Sequence, residues 1–335
     1  MQKAVLITGG AGYVGSHIAH TLAQIGYSVI IIDSFVHEQR FNHSWATVYR
    51  DDFSNTKLLS NLFNQYAITA VIHCAASIEV GLSMGNPIAF YENNVAKTIV
   101  LLKTMLKHNI YNFIFSSSCA VYGIPETNPI PEEHPLRPIS PYGQTKKIIE
   151  NILQDLHNYQ NLNYCIMRYF NVAGAYPEKQ LGEFHNPETH LIPLLFQNSI
   201  EKKPFTIFGA DYETRDGTAL RDYIHVRDIA TAHLKALLHL EQSNPSDIFN
   251  IGTGKGITVK EIVEAVELVT KQKLAVLWKP RRSGDSDALV ADPSRAHAIL
   301  QWQPQFSDIN FILKSTYAFE AIKYQRQKDL ERLML

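Results

Sequence analysis

The chain has 335 residues, of which 45% are hydrophobic and 19% charged, and its formal net charge is -1. This length fits two packed domains, and the composition is that of a globular protein and excludes a disordered chain. Because basic and acidic residues nearly balance, no broad electropositive surface is expected, which argues against a nucleic-acid or membrane partner.

No targeting or membrane segment is predicted. The N-terminal residues lead directly into a predicted strand without a secretory apolar region, and no apolar stretch approaches the roughly 18 residues that span a bilayer. The three cysteines, Cys74, Cys119 and Cys165, lie far apart and show no CxxC spacing. Such cysteines are typical of buried small side chains in a reducing compartment. We therefore expect a cytoplasmic protein.

Short apolar runs alternate with longer amphipathic ones in the first half of the chain. Buried strands that alternate with helices are typical of a parallel, doubly wound α/β sheet of the Rossmann type. Glycines and prolines at the ends of these runs indicate where the predicted strands and helices begin and end. In chain order the predicted elements are the strand Lys3–Thr8, the helix Tyr13–Ile25, the strands Tyr27–Asp33 and Ala70–Ala75, the helix Pro87–Lys107, the strand Asn112–Ser117, the helix Pro141–Asn158 and the strand Asn163–Phe170.

The second half of the chain differs from the first in amino-acid composition. Glycine, proline and charged residues crowd Ala173–Glu188, which predicts a long loop, and Lys279–Asp292 is polar and basic. We predict a larger doubly wound domain of residues 1–171 plus about 226–252, and a smaller mixed α/β domain of residues 172–225 plus about 253–335. The remaining predicted elements are the strand Thr206–Phe208, the helix Val226–Leu240, the strand Phe249–Ile251, the helices Val259–Lys271 and Pro293–Leu300, and a charged, solvated helical tail at Tyr324–Arg332.

A dinucleotide site is predicted between the first strand and the first helix. Gly9, Gly12 and Gly15 lack side chains there, so the backbone can approach a pyrophosphate, and the helix N-terminus presents free N–H groups to that anion. Glycines alone would also fit a plain strand–helix turn. Asp33, which ends the second predicted strand, favours the dinucleotide interpretation. Its carboxylate can bind a ribose diol and would repel a 2′-phosphate, so NAD is expected in preference to NADP.

Two interpretations remain open for Asp52 and Phe53. An adenine ring could lie against the Asp52 carboxylate and the backbone amide of Phe53. Alternatively, Asp52 could be the N-cap of a helix at Asn55–Tyr66.

Ser118, Tyr142 and Lys146 are the predicted catalytic residues. Tyr142 and Lys146 are four residues apart on a predicted helix and therefore share a face. A nearby ammonium stabilises a phenolate, so Tyr142 could take a hydroxyl proton while hydride passes to a nicotinamide. Ser118 ends a strand at the carboxyl edge of the sheet, where doubly wound folds bind ligands. Each residue alone also fits a surface pair or a turn, and it is their combination with the glycines that favours catalysis.

This ordered set resembles the extended short-chain dehydrogenase/reductase family and, within it, the UDP-glucose (UDP-galactose) 4-epimerases. The resemblance implies a homodimeric, NAD-dependent isomerase of galactose metabolism. Such an enzyme oxidises C4 of a UDP-hexose to a transient 4-keto sugar and returns the hydride to the opposite face. The resemblance covers nearly the whole chain and is carried by Thr8–His17, Asn112–Gly123, Ser140–Lys146, Arg168–Ala175 and Arg221–Val226.

The family resemblance also implies roles for individual residues. Tyr142 would be the base, Lys146 would bind the nicotinamide ribose and tune Tyr142, and Ser118 would orient the substrate oxygen. Additional implied cofactor contacts are Tyr13, Val14, Asn93 and Tyr169. Implied substrate contacts are Asn171, Arg221, Tyr223, Arg282, Asp285 and Leu289. No residue is predicted to bind a metal.

Within the implied substrate site, Arg221 and Arg282 would clamp the diphosphate, because a guanidinium makes paired hydrogen bonds to phosphate oxygens. Asp285 would hold the uridine ribose. Without the motif context, Arg281 and Arg282 would be interpreted as a solvated surface pair.

Several features limit the reactions that are expected, but they do not decide which sugar the substrate carries. Related dTDP-glucose 4,6-dehydratases carry an Asp-Glu pair just after the serine strand, whereas Ser118 is followed here by Cys-Ala-Val, so dehydration is not expected. Ile78 replaces a lysine frequent in the family, and the loop between Asp33 and Asp52 is short, so retention of NAD could differ. Leu289 replaces a large aromatic residue, which leaves room for an N-acetyl group.

Three alternatives to the UDP-glucose reaction therefore stay open. They are a UDP-GlcNAc/UDP-GalNAc 4-epimerase, a uronate epimerase or decarboxylase, and a non-catalytic NAD-binding regulator. Pro87–Lys107 and Pro141–Asn158 are the candidate helices of a dimer interface.

Overall fold

The protein is built around a parallel β-sheet. The computed structural model describes residues 3–36, 44–185, 187–282 and 284–333. The described residues form thirteen strands: β1 (Ala4–Thr8), β2 (Ser28–Asp33), β3 (Ala46–Arg50), β4 (Ile68–His73), β5 (Asn112–Ser118), β6 (Asn163–Tyr169), β7 (Asn171–Ala173), β8 (Phe205–Phe208), β9 (Leu220–His225), β10 (Asp247–Ile251), β11 (Gly256–Thr258), β12 (Val276–Lys279) and β13 (Ala288–Leu289). Seven of them form the large sheet in the order β10-β6-β5-β4-β1-β2-β3, and every neighbouring pair in it is parallel.

Helices connect these strands. Because parallel strands need crossover connections, helices cover both faces of the large sheet. They are α1 (Tyr13–Gln24), α2 (Thr56–Gln65), α3 (Val80–Gly85), α4 (Pro87–Phe90), α5 (Lys97–Lys107), α6 (Pro141–Gln160), α7 (Leu191–Glu201), α8 (Val226–Glu241), α9 (Val259–Thr270), α10 (Ser294–Ile299) and α11 (Ile309–Leu333). A π-helical turn at Tyr91–Ala96 joins α4 to α5, and 3₁₀ turns occur at Cys119–Val121 and Pro177–Lys179.

Alternating residues of the strands supply two separate apolar layers. In β1, Val5 and Ile7 pack with α1 and α8 residues on one face, whereas Ala4 and Leu6 pack with α2 and α5 residues on the other. This alternation follows from the period of two in a strand. Both faces are therefore buried, which explains the continuous apolar runs in the sequence. The predicted doubly wound α/β fold is confirmed.

A smaller sheet and a third apolar cluster lie in the second half of the chain. Strand β9 pairs with β7, β11 and β13, and α7, α9 and α11 contribute to the cluster beside it. Strand β10 returns to the large sheet beside β6. The two discontinuous domains that the sequence predicts, and their boundaries, stay a proposal.

Some predicted elements differ from the observed ones. The helix predicted at Pro87–Lys107 keeps these bounds, but its residues Tyr91–Ala96 form a π-helical turn between α4 and α5. Strand β3 was not predicted, since it lies at the sheet edge and its half-exposed residues carry a weak apolar signal. The tail predicted as a solvated helix is the end of α11, whose earlier residues Ile312 and Phe319 are buried. Among the described helices, none is long and apolar enough to cross a membrane.

Candidate active site

The three predicted glycines shape the turn between β1 and α1. Gly9 has a φ of +69°, and a Cβ there would lie 2.6 Å from the backbone nitrogen of Ala75. A Cβ on Gly15 would collide with the carbonyl oxygen of Gly9. Gly12 is the N-cap of α1 and provides no side chain to occupy the helix N-terminus. The turn therefore leaves backbone N–H groups and the positive end of the helix open to an anion.

Asp33 and Asp52 lie beside this turn, and each is held by its own set of hydrogen bonds. Asp33 Oδ2 accepts a hydrogen bond from the Ala11 amide at 3.0 Å, and Oδ1 accepts one from the Phe35 amide at 2.8 Å. Partial burial opposes ionisation of Asp52, but hydrogen bonds from Lys97 and Ser54 outweigh it and lower the pKa of this carboxyl. Both side chains are thus held in place by hydrogen bonds.

The helix-cap interpretation of Asp52 is wrong. The N-cap of α2 is Asn55, whose side chain accepts a hydrogen bond from the Leu58 amide at 3.1 Å. Asp52 Oδ2 instead accepts a hydrogen bond from the ammonium nitrogen of Lys97 at 2.6 Å. The buried ring of Phe53 packs edge-on against His73. Asp52 and Phe53 therefore remain available for the predicted adenine contact.

Asn93 lies in the π-helical turn. Its side-chain nitrogen donates to the Ser77 hydroxyl at 3.1 Å, and neighbouring Asn94 accepts the Ser77 amide at 2.8 Å. These bonds join the turn to the loop after β4, where Ile78 lies. π-helical turns often occur at functional sites because they redirect side chains.

One large cavity collects all the predicted cofactor residues. Its volume is about 550 Å³. It lies at the carboxyl ends of the central strands, where ligands bind in doubly wound folds. The predicted residues that line it are Gly9, Gly12, Tyr13, Val14, Gly15, Asp33, Asp52, Phe53, Asn93, Ser118, Tyr142, Lys146 and Tyr169.

The catalytic residues meet because two turns approach closely. Helix α6 begins after Ser140, whose side chain accepts the Gly143 amide at 3.1 Å. A Cβ on Gly143 would lie 2.5 Å from the carbonyl oxygen of Ala120, so glycine lets α6 contact the 3₁₀ turn that follows β5. This contact brings Tyr142 beside Ser118: burial raises the pKa of the phenol, and the Ser118 hydroxyl opposes that rise.

Lys146 lies one helical turn after Tyr142. Its ammonium donates to the carbonyl oxygen of Ser116 at 2.7 Å and lies over the ring of Phe115. Burial lowers the pKa of Lys146 to about 8 and raises the pKa of Tyr142 to about 12. In the protein alone, burial therefore outweighs the expected stabilisation of the phenolate. The stabilisation of a phenolate by Lys146, expected from the sequence, therefore stays a prediction.

A buried polar network supports the strand that carries Ser118. Arg168 forms an ion pair with Glu150 at 2.6 Å, and both side chains are at most 2% exposed. The Ser117 hydroxyl donates to the same carboxylate. Tyr169 donates to the Ser116 hydroxyl at 2.8 Å and contacts His233. Ser116 and Ser117 are thus fixed from both sides of β5.

The other predicted substrate residues lie together, next to the cavity and outside its lining. Asn171 is paired with Tyr223, and Leu289 with Arg221, across adjacent strands of the small sheet. Side chains at paired positions share a face, and so do Arg221 and Tyr223, which are two residues apart. Four of the predicted residues therefore line one surface of this sheet. Asp285 joins them through an ion pair with Arg221.

Arg221 faces the catalytic end of this surface. Burial raises the pKa of the Cys119 thiol to about 11, and the charge of Arg221 opposes that rise. Cys119 and Leu289 also pack against the same buried cluster, which includes Tyr122 and Phe170. The small-sheet surface thus reaches the residue that follows Ser118.

The two neighbouring arginines are held against aromatic rings. Arg282 lies 4.1 Å from the ring centroid of Phe208. Arg281 lies 4.1 Å from that of Tyr212 and forms ion pairs with Asp211 and Asp287. Both arginines are nonetheless exposed, as the interpretation as a surface pair expects. Arg282 is not among the residues that line the cavity.

Sequence reasoning missed several residues at the cavity. Glu183, His185 and His190 line it, and Glu188 adjoins them. They lie in and just after the segment predicted as a long loop. Their spacing, Glu-x-His-x-x-Glu-x-His, was the available signal.

Comparison with known proteins places the chain among characterised relatives. The model of the NAD dependent epimerase/dehydratase family matches residues 5–252. A UDP-glucose 4-epimerase from Rhizobium leguminosarum bv. trifolii is 43% identical over 320 residues, which are 95% of this chain and 98% of that protein.

Solved structures extend the similarity to three dimensions. UDP-glucose 4-epimerase from Brucella ovis, in complex with NAD, is 40% identical, with a TM-score of 0.89 and coverage of 95% of this chain and 98% of that one. The UDP-Glc/GlcNAc 4-epimerase from Campylobacter jejuni is 38% identical, with a TM-score of 0.82 and coverage of 96% and 100%. The predicted resemblance and the NAD cofactor are confirmed, and the chain belongs to the NAD dependent epimerase/dehydratase family.

Proposed function

We propose that this chain catalyses the NAD-dependent epimerisation of a UDP-hexose at C4, with UDP-glucose and UDP-galactose as the pair that it interconverts. The observation that carries the proposal is the meeting of Ser118, Tyr142 and Lys146 in the cavity that the glycine turn and Asp33 also line. A proton acceptor, a hydroxyl donor and a dinucleotide site are thereby within reach of one substrate carbon. The relatives that cover nearly the full chain support the same reaction.

The proposed mechanism begins with Tyr142 as the base. Ser118 holds the C4 oxygen, and Tyr142 removes the proton of that hydroxyl through its phenolate. Bound NAD supplies the chemistry of hydride acceptance from C4 and of hydride return. Lys146 keeps positive charge near the phenol and near the cofactor ribose. After the 4-keto sugar rotates, Tyr142 returns the proton to the oxygen, so that only the C4 configuration has changed.

Isomerisation is favoured over elimination by the residues after Ser118. Elimination of water needs an acid and a base beside the sugar. Cys119 and Ala120 occupy the 3₁₀ turn there, and burial raises the pKa of the Cys119 thiol to about 11. A neutral thiol is a poor replacement for a carboxylate at neutral pH. This argues against a dehydratase.

Arg221 is the proposed anchor of the substrate diphosphate. It is nearly buried and charged, and its present partner is the Asp285 carboxylate. A bound diphosphate would replace the Asp285 carboxylate as the partner of the Arg221 guanidinium. Asp285 would then be free to bind the uridine ribose. Asn171, Tyr223 and Arg282 are proposed to complete the contacts.

A second candidate reaction is the interconversion of UDP-GlcNAc and UDP-GalNAc. Leu289 favours it, because this side chain is half-buried beside the catalytic end and is smaller than an aromatic residue. The relative from Campylobacter jejuni carries both sugars in its name. Uronate enzymes and a non-catalytic NAD-binding protein are less well supported, because the catalytic trio is complete and no added cation is assigned to a sugar carboxylate.

We further propose a homodimer in the cytoplasm. Ile88 and Ile99, on the segment from α4 to α5, are exposed to 69% and 45%. This segment packs with α6, the other predicted interface helix. A second copy that covers both isoleucines would remove this apolar surface from water. Sedimentation should give a dimer, and Ile88→Asp with Ile99→Asp should give a monomer; a monomeric wild-type protein would refute the dimer.

Two measurements on the purified chain test the proposed reaction. Mass analysis of released nucleotide should identify NAD. Assays with UDP-glucose, UDP-galactose, UDP-GlcNAc and UDP-GalNAc should show inversion at C4 of at least the first pair. Bound NAD without turnover of any of the four sugars would support the dinucleotide site and overturn the epimerase assignment.

The short loop before Asp52 includes residues 37–43, which lie outside the described residues. Its effect on NAD retention stays a prediction.

A further inference from the structure

Four side chains with metal-binding atoms cluster at the edge of the cavity. They are Glu183, His185, Glu188 and His190, and one ligand atom from each lies within 4.8 Å of all the others. The cluster belongs to the segment between β7 and α7, away from the glycine turn and from the catalytic trio in the sequence. The reaction proposed above assigns no role to these four residues, whose own chemistry is that of two imidazoles and two carboxylates.

Distances within the cluster fit a single small cation. Glu183 Oε1 lies 3.0 Å from His185 Nδ1 and also contacts His190 Nδ1. Glu188 Oε1 lies 3.8 Å from the first of these nitrogens and 3.9 Å from the second. In a tetrahedral zinc site with bonds of about 2.0–2.1 Å, ligand atoms are about 3.3 Å apart. The observed separations lie on both sides of that value, so small side-chain shifts would form the site.

Glu188 provides an independent sign that a ligand is missing. Its side chain is 2% exposed. One carboxylate oxygen accepts the amides of Thr189 and His190 at 2.8 and 3.0 Å. The other oxygen, Oε2, is buried and has no hydrogen-bond partner among the described residues. A buried carboxylate oxygen without a partner is costly, and a cation bound through both oxygens of Glu188 would remove that cost.

The neighbouring side chains of Lys323 and Tyr13 do not neutralise the two carboxylates of the cluster, so only its two histidines can do so. Lys323 donates to the backbone carbonyl of Glu183 and to the carboxylate of Glu320, not to the Glu183 side chain. Tyr13 donates its hydroxyl to the carbonyl oxygen of Gly174. Within the described chain, the cluster is therefore neutral either with two protonated imidazoles or with two neutral imidazoles and one divalent cation.

We propose that Glu183, His185, Glu188 and His190 form a binding site for one divalent cation with the preferences of Zn²⁺. Imidazole nitrogen and carboxylate oxygen are both ordinary zinc ligands, and two of each make a closed, four-coordinate set. The two imidazole rings are inclined by 63°, with centroids 5.2 Å apart, so both can aim Nδ1 at one point. This inference replaces the sequence-based expectation that no residue binds a metal.

The position of the site gives it a structural consequence. Glu183, His185 and His190 line the same cavity as Asp33 and Tyr142. The cation would join the segment that precedes α7 to the cavity wall. It would also cancel two negative charges beside a cavity that accepts an anionic dinucleotide.

The test titrates the full chain, with its NAD, after chelator treatment and removal of the chelator. Co²⁺ is the probe, because a tetrahedral site gives it intense visible absorption, and Zn²⁺ should then displace it. One Co²⁺ per chain is expected. His185→Gln and Glu188→Gln should each weaken binding by at least about 100-fold, since removing a ligand should cost at least as much as the 10–100-fold typical of outer-shell partners. His108→Gln, at the far end of α5, is the matched control and should bind as wild type does.

Two results would overturn the site. One is the absence of stoichiometric Co²⁺ binding by the wild-type chain; the other is unchanged binding by both ligand variants. If a variant failed to fold, as judged by its NAD content, anomalous scattering from wild-type crystals soaked in Zn²⁺ would decide whether density lies between Glu183 and His185. Because catalysis is not the readout, this test and the test of the epimerase reaction can fail separately.

Discussion

The ammonium nitrogen of Lys146 lies 5.7 Å from the centre of the Tyr142 ring, one helical turn away on the same face of α6. Burial affects the two groups in opposite directions: it lowers the pKa of the ammonium to about 8 and raises the pKa of the phenol to about 12. The site thus contains a lysine that is costly to keep charged and a tyrosine that is costly to ionise. Such costs are typical of residues kept for function.

The first prediction concerns stability at Lys146. Its pKa is about 8 in the folded state against 10.5 for an unperturbed lysine. The folded chain therefore releases this proton more readily, and burial of the charge costs up to about 3 kcal/mol below pH 8, a cost that fades as the pH rises to 10.5. Lys146→Met removes this cost and also a hydrogen bond to Ser116 worth about 1 kcal/mol.

Denaturant unfolding at several pH values checks this prediction. Lys146→Met should be more stable than wild type by about 2 kcal/mol at pH 7 and should lose that advantage near pH 10.5. Lys235→Met, at a half-buried position of α8, is the control. A destabilised Lys146→Met protein at pH 7, or a difference that does not depend on pH, would refute the buried-charge account.

The second prediction concerns the selectivity for NAD. Asp33→Asn keeps the shape of the side chain and removes the negative charge. Charged hydrogen bonds are worth about 1.5–3 kcal/mol, so NAD affinity should fall by roughly tenfold or more, and the discrimination against NADP should shrink. Calorimetric titration with both nucleotides measures this. Equal NAD affinity in Asp33→Asn and in the surface control Asp155→Asn would remove Asp33 from the cofactor site.

The third prediction concerns the buried ion pair below Ser118. Arg168→Met leaves Glu150 buried without its partner, which should lower the free energy of unfolding by about 3–5 kcal/mol. Lys203→Met breaks the exposed pair with Glu201 and should cost less than about 1 kcal/mol. Denaturant melts of the NAD-loaded chains compare the two. If both substitutions had the same small effect, the Arg168–Glu150 pair would not hold β5 in place.

The fourth prediction concerns the sugar. Leu289→Tyr adds bulk at the face that Leu289 shares with Arg221. If an N-acetyl group uses this space, kcat/KM for UDP-GlcNAc should fall at least about tenfold, which matches the 1–3 kcal/mol that pocket volume commonly controls, while UDP-glucose turnover changes little. Leu289→Met is the control of similar volume. An equal loss for both sugars would show that Leu289 does not select the substrate.

The parts of the site that are local in sequence could be predicted. Gly9, Gly12 and Gly15 follow one strand directly, and the helical period alone aligns Tyr142 with Lys146. The carboxyl-edge rule for parallel sheets then brings Ser118 to the same place. Each of these inferences uses one element and one general rule of the fold.

Contacts between distant segments could not be predicted. The partner of Asp52 is Lys97, from a different helix, and no pattern in the sequence announces that pair. Arg221 meets Asp285 only because β13 pairs with β9. The π-helical turn at Tyr91–Ala96 was also missed, since one inserted residue leaves the helical period of its neighbours unchanged.

The central claim is that Tyr142 is the base of a C4 epimerase, and its most direct test is the turnover number of Tyr142→Phe with UDP-galactose. Removal of a general base costs about 10²–10⁴-fold, so we expect kcat to fall by that factor while NAD remains bound. Tyr111→Phe, a partly exposed tyrosine at the opposite end of the sheet, should keep wild-type activity. A Tyr142→Phe protein with bound NAD and near-normal kcat would contradict the assignment.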